Sequence, residues 1–174
     1  PIIHTDEFIE MDEHPADAVR RKKQASLTLA LELVRDGKAL GAVSAGNSGA
    51  MMAASLFTLK RIAGVERPAI GGLMPTRSGV CLVLDIGANT DCKPEYLQQF
   101  AFMGSVYMQR IFHIQSPRVG LLSNGEEETK GNKQVLETHP LLKRNADTLG
   151  LNFLGNVEGR DIFRGEVDVA VCDG

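Results

Sequence analysis

The sequence of 174 residues contains no tryptophan, and aromatic residues make up only 5% of it. Its formal net charge is −3, so no overall basic field is present to attract nucleic acid. Because few aromatic side chains are available to stack on bases, we expect no nucleic-acid partner. No apolar run approaches the roughly 18 residues that a membrane-spanning helix needs, and the polar, acidic start does not resemble a signal peptide.

Cysteine is scarce as well. The three cysteines, Cys81, Cys92 and Cys172, are an odd number and show no metal-ligand spacing. This usage suits a reducing cytoplasm better than a disulfide framework, and Cys81 is predicted to lie in the core. No metal site and no cofactor are predicted. No HExxH pattern occurs, and no role is assigned to the four histidines, which are His4, His14, His113 and His139.

Helical and strand patterns alternate along the chain, which predicts an α/β fold with a mainly parallel sheet and helices on both faces. Helices are predicted over residues 15–37, 50–63, 94–112 and 133–149. Strands are predicted over residues 41–44, 69–74, 80–85, 118–122, 151–154 and 167–172. The almost unbroken apolar run of residues 80–85 is typical of a strand that is buried on both faces.

The length fits a single α/β domain over residues 1–174. The chain begins at Pro1 without a methionine and stops at Gly174, directly after a predicted strand. We interpret it as a fragment that has lost neighbouring segments on both sides. Parallel sheets bind ligands outside the carboxyl ends of their strands, so the polar loops that follow the strands are the candidate sites.

The first of these loops, residues 44–49, is built from small residues that let a ligand approach the backbone closely. The helix predicted after it offers free amides and the positive end of its dipole, which favours phosphate binding by Asn47, Ser48 and Gly49. Capping of the helix by Asn47 or Ser48 is an equally good interpretation, since such caps are common.

Two nucleophiles are weaker alternatives. Residues 46–50 read G-x-S-x-A, so Ser48 with Asp85 and a later histidine has the chain order of a hydrolase triad. Cys92 is followed by Lys93 and a helix start, which would activate a thiolate for acyl transfer.

The second loop occupies residues 85–95 and contains Asn89, Asp91 and Lys93 before Pro94. Pro94 suits the first position of a helix, which makes Lys93 the N-cap. Lysine is a poor cap and its charge opposes the helix dipole, so a bound anion would resolve the conflict. The alternative is that Lys93 pairs with Asp91 or points into water.

The third loop, residues 123–132, offers Asn124, Lys130 and Asn132 to bind an anion and Glu126 to orient a group beside it. A capping box between Ser123 and Glu126, or a solvated acidic face, is the alternative.

In residues 155–161, Asn156 and Arg160 are further candidates for binding phosphate, because a guanidinium holds it with a planar fork. Arg160 is equally well placed in the sequence to pair with Glu158 or Asp161 and fix the loop.

A basic run lies before these loops and consists of Arg20, Arg21, Lys22 and Lys23. Such runs are usually solvated, but charge complementarity would also let this one dock an acidic protein.

Taken together, these segments resemble the motifs of the bacterial phosphate acyltransferase family (PlsX). The similar segments are residues 44–50, 84–95, 117–122, 125–132, 155–161 and 172–174, in order and with sensible spacing over nearly the whole chain. The departures are small. Ser48 stands where the family usually has threonine, and Ser123-Asn124 differs from its usual pair.

The resemblance implies a Rossmann-like, three-layer α/β/α sandwich related to phosphate acetyltransferases, usually in a homodimer. It implies transfer of a fatty acyl group from acyl carrier protein to inorganic phosphate, early in phospholipid synthesis and without a cofactor. It also implies a cytoplasmic protein that is peripheral to the inner membrane face through parts outside this fragment. The fragment would then lack the family's first strand and its C-terminal part. The acidic docking partner of the basic run would then be acyl carrier protein.

The mechanism that we expect is direct attack by phosphate, held by residues 47–49, Lys93 and Lys130 or Arg160. Asp91 or Glu126 would accept a phosphate proton. A phosphate acyltransferase that uses coenzyme A, and a non-catalytic protein that binds acyl carrier protein, are the alternatives.

Overall fold

The computed structural model describes residues 2–174 and contains two compact units, one ending at Pro68 and the other spanning Ala69–Gly174. Each unit has a hydrophobic core of its own. The single domain expected over residues 1–174 stays a prediction, because the division into two compact units does not test whether they form one domain or two.

The first unit contains three helices, α1 (Pro15–Arg21), α2 (Ser26–Arg35) and α3 (Ser48–Thr58). One face of each helix is apolar, which is the pattern that buries a helix against its neighbours. The buried side chains that form this core are Val19, Leu27, Leu31, Ala50 and Ala54.

The helix predicted over residues 15–37 is wrong in one respect, because the structure breaks it into α1 and α2. The break lies at Gln24, whose backbone N–H donates to the Glu7 carboxylate at 2.6 Å. The carbonyl of Gln24 accepts a hydrogen bond from the Thr5 hydroxyl at 2.7 Å. Since the N-terminal segment occupies both backbone groups of Gln24, these groups are not available to continue the helix.

The strand predicted over residues 41–44 is also wrong. These residues are irregular, and the side chain of Val43 is 98% exposed. A strand needs a neighbour for its backbone hydrogen bonds, and the described residues provide none here. Helix α3 is shorter than the predicted 50–63 and is followed by Lys60 in the left-handed region, at φ 67°.

The second unit contains a five-stranded sheet. Its strands are β1 (Gly71–Thr76), β2 (Gly79–Leu84), β3 (Arg118–Leu122), β4 (Asn152–Val157) and β5 (Val169–Val171). Its helices are α4 (Pro94–Ile111), α5 (Lys133–Leu149) and α6 (Gly159–Arg164). The strand order is β1-β2-β5-β3-β4, and only the β1–β2 pair is antiparallel, which confirms the mainly parallel sheet.

Strand β2 is buried on both faces, as its apolar run predicts. Leu82 and Leu84 belong to the core that includes side chains of α4 and α5. Cys81 and Val83 belong to a second core with Ile162 of α6. Because successive side chains of a strand point to opposite faces, helices cover both sides of this sheet. The predicted α/β/α layering and the core position of Cys81 are confirmed.

Two further differences are local. Helix α6 was not predicted, because six residues are too few to show a helical pattern. Strands β1 and β4 lie one to three residues from their predicted bounds, as is usual for element ends. Within residues 2–174, no helix combines the length and the apolar character that crossing a membrane requires.

The packing of α4 on the sheet gives a first testable prediction, at Gly104. A Cβ atom there would lie 2.5 Å from Cγ1 of Val169 and 3.1 Å from Cδ1 of Leu84, so Gly104→Ala forces either these side chains or the helix to shift. We expect it to lower the free energy of unfolding by about 1–3 kcal/mol, measured by urea denaturation. Gly159→Ala is the control, since a Cβ at Gly159 meets nothing within 4 Å. An unchanged stability of Gly104→Ala would contradict this packing.

Candidate phosphate site

The carboxyl ends of the four parallel strands meet at one edge of the sheet. Three polar segments follow at this edge: residues 85–93 after β2 (the Lys93 loop), residues 123–132 after β3 (the Lys130 loop) and residues 172–174 after β5 (the Asp173 turn). Helix α6 begins directly after β4. The parallel topology therefore brings these polar loops to the same edge of the sheet, as predicted.

The Lys93 loop is shaped by Asp85, whose side chain is buried at 1% exposure. Its carboxylate accepts hydrogen bonds from the backbone N–H groups of Ile70 at 2.9 Å and Asn89 at 2.7 Å. It also accepts from the N–H of Ala88 and from Nδ2 of Asn89 at 2.8 Å. Asp85 is therefore a structural group, and the side-chain nitrogen of Asn89 already has a partner within the loop.

Lys93 is the N-cap of α4, with Pro94 in the first turn, as the sequence predicts. Its side chain makes no capping hydrogen bond and is exposed. The Nζ atom lies 6.0 Å from the ring centroid of Tyr96, and within residues 2–174 no carboxylate forms an ion pair with it. The alternative pairing with Asp91 is absent, whereas the exposed side chain fits the alternative in which Lys93 points into water. In either case the ammonium is available to an anion.

Cys92 is buried, which does not suit a thiol that attacks a substrate. Its backbone carbonyl accepts a hydrogen bond from Nε2 of Gln134, in the first turn of α5. The start of α5 therefore lies against the residue that precedes Lys93. Asn132, the N-cap of α5, accepts a hydrogen bond from the N–H of Val135 at 3.0 Å. Two helix N-termini are thus brought together at this edge, which favours an anion.

In the Lys130 loop the capping box predicted from Ser123 and Glu126 does not form, because the helix begins ten residues after Ser123, at Lys133. Lys130 is exposed and has no ion-pair partner within residues 2–174. It therefore adds a second available ammonium to the strand-end edge.

Arg160 is held by carboxylates. Its guanidinium pairs with Glu126 and with Glu158, each at 3.0 Å, and with Asp161 at 3.7 Å. The hydrogen bond that Arg160 donates to Glu126 and the negative charge of Glu158 raise the pKa of Arg160. The alternative in which Arg160 fixes its loop matches this geometry, and Glu126 and Arg160 join the Lys130 loop to the start of α6.

Asn156 is buried, and both the oxygen and the nitrogen of its side-chain amide have hydrogen-bond partners. Its Oδ1 lies 2.9 Å from Nδ1 of His139, and its Nδ2 donates to the carbonyl of Glu127 at 2.9 Å. Sequence reasoning gave His139 no role, yet it is a buried partner of a predicted site residue. Its spacing on the buried face of α5, one turn from Val135, was the available signal.

Beside His139 is a cleft of about 240 Å³. It is lined by Glu126, Glu128, His139, Lys143, Phe153, Leu154 and Gly155. The carboxylate of Glu128 contacts two of these side chains. It lies 2.6 Å from Nζ of Lys143 and 3.6 Å from Nε2 of His139.

Asp173 was also missed by sequence reasoning. Its carboxylate accepts hydrogen bonds from the backbone N–H of Asp91 at 3.0 Å and of Cys92 at 3.1 Å. The sequence signals were its position directly after a strand and the resemblance of residues 172–174 to a turn of the family, but neither gave Asp173 a role. Asp91 itself is exposed and adopts φ 53°, a left-handed conformation that is uncommon outside glycine.

The loop of residues 44–49 belongs to the first unit. Asn47 caps α3, since its Oδ1 accepts from the N–H of Ala50 at 3.0 Å. Its Nδ2 donates to three carbonyls, those of Glu10, Met11 and Glu13, which lie 3.1–3.4 Å away. The capping interpretation of this loop is therefore observed, and phosphate binding by Asn47, Ser48 and Gly49 stays a prediction.

Most of the basic run has partners within the first unit. Arg20 lies 4.0 Å from Asp17, and Arg21 lies 3.4 Å from Glu13. Lys22, the C-cap of α1, pairs with Glu13 at 2.5 Å, and the side-chain hydrogen bond from Lys22 lowers the pKa of Glu13. Lys23 is exposed. Docking of an acidic protein on this run stays a prediction.

Within residues 2–174, no group of three or more acidic, cysteine or histidine side chains is arranged to hold a metal ion.

A solved structure with a similar fold is the phosphotransacetylase EutD from Staphylococcus aureus, with a TM-score of 0.61. The match covers 83% of this chain and 50% of that chain, at 20% sequence identity. At this identity the likeness concerns the fold alone, and it agrees with the predicted relation to the fold of phosphate acetyltransferases.

Curated relatives named phosphate acyltransferase are far more similar in sequence. One from Pelotomaculum thermopropionicum is 59% identical, and one from Pelobacter propionicus is 56% identical, each over 99% of this chain. Both matches cover 49% of the relative, so the chain spans about half the length of these proteins. The model of the family described as fatty acid synthesis protein matches residues 1–174, and the chain therefore belongs to that family.

Proposed function

We propose that the protein transfers a fatty acyl group from a carrier-protein thioester to inorganic phosphate, giving acyl phosphate. The observation that carries this proposal is the meeting of the α4 and α5 N-termini beside Lys93. The positive dipole ends of two helices, and an ammonium with no ion-pair partner within residues 2–174, together favour a small, multiply charged anion. The relatives named phosphate acyltransferase support phosphate as that anion.

In the proposed reaction a phosphate oxygen attacks the carbonyl carbon of the thioester. The new C–O bond forms, the carbonyl oxygen becomes an oxyanion, and the C–S bond then breaks to release the carrier thiol. Lys93 and Lys130 hold phosphate against the thioester and stabilise the developing charge. No covalent acyl-enzyme is required, which agrees with the burial of Cys92.

A carboxylate accepts the proton that phosphate loses and returns it to the departing thiolate. Of the two predicted candidates, Asp91 is exposed and has no ion pair within the described residues, whereas Glu126 is paired with Arg160. We therefore assign the proton transfer to Asp91 and assign Glu126 to fixing Arg160. Asn89, Asn132, Asn156 and Arg160 are proposed to shape the site rather than to react.

The finer parts of the proposal come from the family resemblance. They are acyl carrier protein as the donor, phospholipid synthesis as the pathway, a homodimer as the assembly, and a cytoplasmic location peripheral to the inner membrane face. Lys23 is the basic side chain best placed to meet an acidic carrier, since its neighbours in the run pair with carboxylates of their own unit.

The test is a trap for acyl phosphate. This chain and a version extended to the length of the relatives are each incubated with acyl-ACP, with and without phosphate, and acyl phosphate is converted to its hydroxamate. We expect hydroxamate that depends on phosphate, at least from the extended chain. Acyl-CoA added as a competitor identifies the preferred thioester. A folded, extended chain that binds acyl carrier protein but gives no hydroxamate would contradict the proposed reaction.

A further inference from the structure

The Asp173 turn touches the Lys93 loop with two different groups. One is the carboxylate of Asp173, which binds the consecutive N–H groups of Asp91 and Cys92 at 3.0 and 3.1 Å. These two residues directly precede Lys93 in the chain. Because the carboxylate fixes both amides, it determines the direction in which the backbone enters α4 and presents the Lys93 side chain.

The second group is the backbone of Gly174. A Cβ atom at this position would lie 2.6 Å from the carbonyl oxygen of Asn89 and 2.7 Å from the N atom of Gly87. Both are backbone atoms, so they cannot move aside as the end of a flexible side chain would. Only glycine therefore allows the turn to pack this closely on the other end of the Lys93 loop.

From these contacts we propose that Asp173 is a positioning residue of the candidate phosphate site, and that the Asp173 turn holds the Lys93 loop in its binding conformation. The inference rests on the proposed function for its catalytic consequence. The loop needs such support because Asp91 adopts a left-handed φ of 53°, which a free loop would rarely keep.

The ionisation of Asp173 is consistent with this role. Partial burial raises its pKa, but hydrogen bonds from Cys92, Gln134 and Asp91 outweigh that effect, so the pKa lies below its ordinary value of 3.8. A carboxyl group with a lowered pKa contributes its stabilisation above the ordinary value and loses it only as the pH falls through the lowered one. At neutral pH Asp173 is therefore ionised and accepts hydrogen bonds only.

The test uses the extended chain and the variant Asp173→Asn, which keeps the size of the side chain but turns one acceptor into a donor that faces a backbone N–H. We expect faster hydrogen exchange in the peptide of residues 86–96 and about a tenfold lower kcat/KM for phosphate, since small misplacements at a site are costly. Most of the loss should appear in the KM for phosphate. Asp173→Glu, which restores two acceptors, should recover part of it.

Two further variants separate positioning from a general loss of structure. Gly174→Ala keeps the carboxylate but displaces the loop backbone, so it should raise exchange in the same peptide. Asp147→Asn, on the exposed face of α5, is the matched control and should change neither exchange nor KM. Circular dichroism and the melting temperature verify that each variant is folded.

The outcomes distinguish this inference from the proposed function. Normal exchange in residues 86–96 of folded Asp173→Asn, or a normal KM for phosphate despite lower stability, would overturn the positioning role. If the wild-type extended chain makes no acyl phosphate, the proposed function fails instead. In that case hydrogen exchange and calorimetric titration with inorganic phosphate still test the positioning role of Asp173, because neither measurement requires turnover.

Discussion

Replacing Lys93 by alanine is expected to lower kcat/KM for phosphate by about 100- to 1,000-fold, the range found when one charge-stabilising group is removed from an active site. The requirement for phosphate should rise sharply, because the Lys93 ammonium lies exposed at the start of α4 and has no ion-pair partner among residues 2–174. Phosphate titrations of the extended chain in the hydroxamate assay measure the effect. An unchanged dependence on phosphate would remove Lys93 from the site.

Stability provides a second, independent measure at the same residue. Lys93 makes no capping hydrogen bond and its charge opposes the dipole of α4, so Lys93→Ala should leave the free energy of unfolding nearly unchanged. Lys93→Ser should raise it by about 1 kcal/mol, because serine is a favoured N-cap, while losing activity to the same extent as alanine. Lys38→Ala, an exposed lysine of the first unit, is the control for a change of charge. Lower stability in Lys93→Ser would contradict this account.

Lys93 is a poor cap for α4 but a good ligand for an anion, and this conflict made it recognisable in the sequence as a site residue. Pro94 fixes the first turn of a helix, and the residue before it must then be the cap, so a cation there conflicts with local rules. The buried strand β2 was predictable for the same kind of reason, since its apolar run is continuous. Each of these features depends only on the identity of a few residues that are neighbours in the sequence.

The missed features depend on contacts between distant parts of the chain. Asp173 lies 82 residues after Asp91, and the three residues of its turn do not indicate which backbone amides its carboxylate binds. The pair of Arg160 and Glu126 and the hydrogen bond between His139 and Asn156 are also long-range. Local patterns locate the loops at the strand ends, but only the tertiary structure assigns partners among their side chains.

The errors in the first unit have the same origin. Helix propensity alone favours one helix through Gln24, and the break comes from Glu7 and Thr5, which bind its backbone from 17 and 19 residues away. The apolar character of residues 41–44 favours a strand, yet a strand forms only where a partner offers its backbone. Tertiary contacts override local preference in both places.

The largest loss of stability is expected at Asp85, the buried carboxylate within the Lys93 loop. Asp85→Ala would leave the backbone N–H groups of Ile70, Ala88 and Asn89 without their acceptor in a site that is 1% exposed. Because each buried donor without a partner costs about 1–3 kcal/mol, we expect the free energy of unfolding to fall by about 3 kcal/mol or more. Urea denaturation of the extended chain measures it.

Asp85→Asn separates the hydrogen bonds from the volume of the side chain. Asparagine keeps one acceptor oxygen and nearly the same size, so its loss of stability should be about half that of alanine. Asp147→Ala, at an exposed position of α5, should lie within about 0.5 kcal/mol of the wild type. If Asp85→Ala costs less than about 1 kcal/mol, the carboxylate does not hold the loop. Lys93 would then have to be kept in place by Asp173 and Gln134 alone.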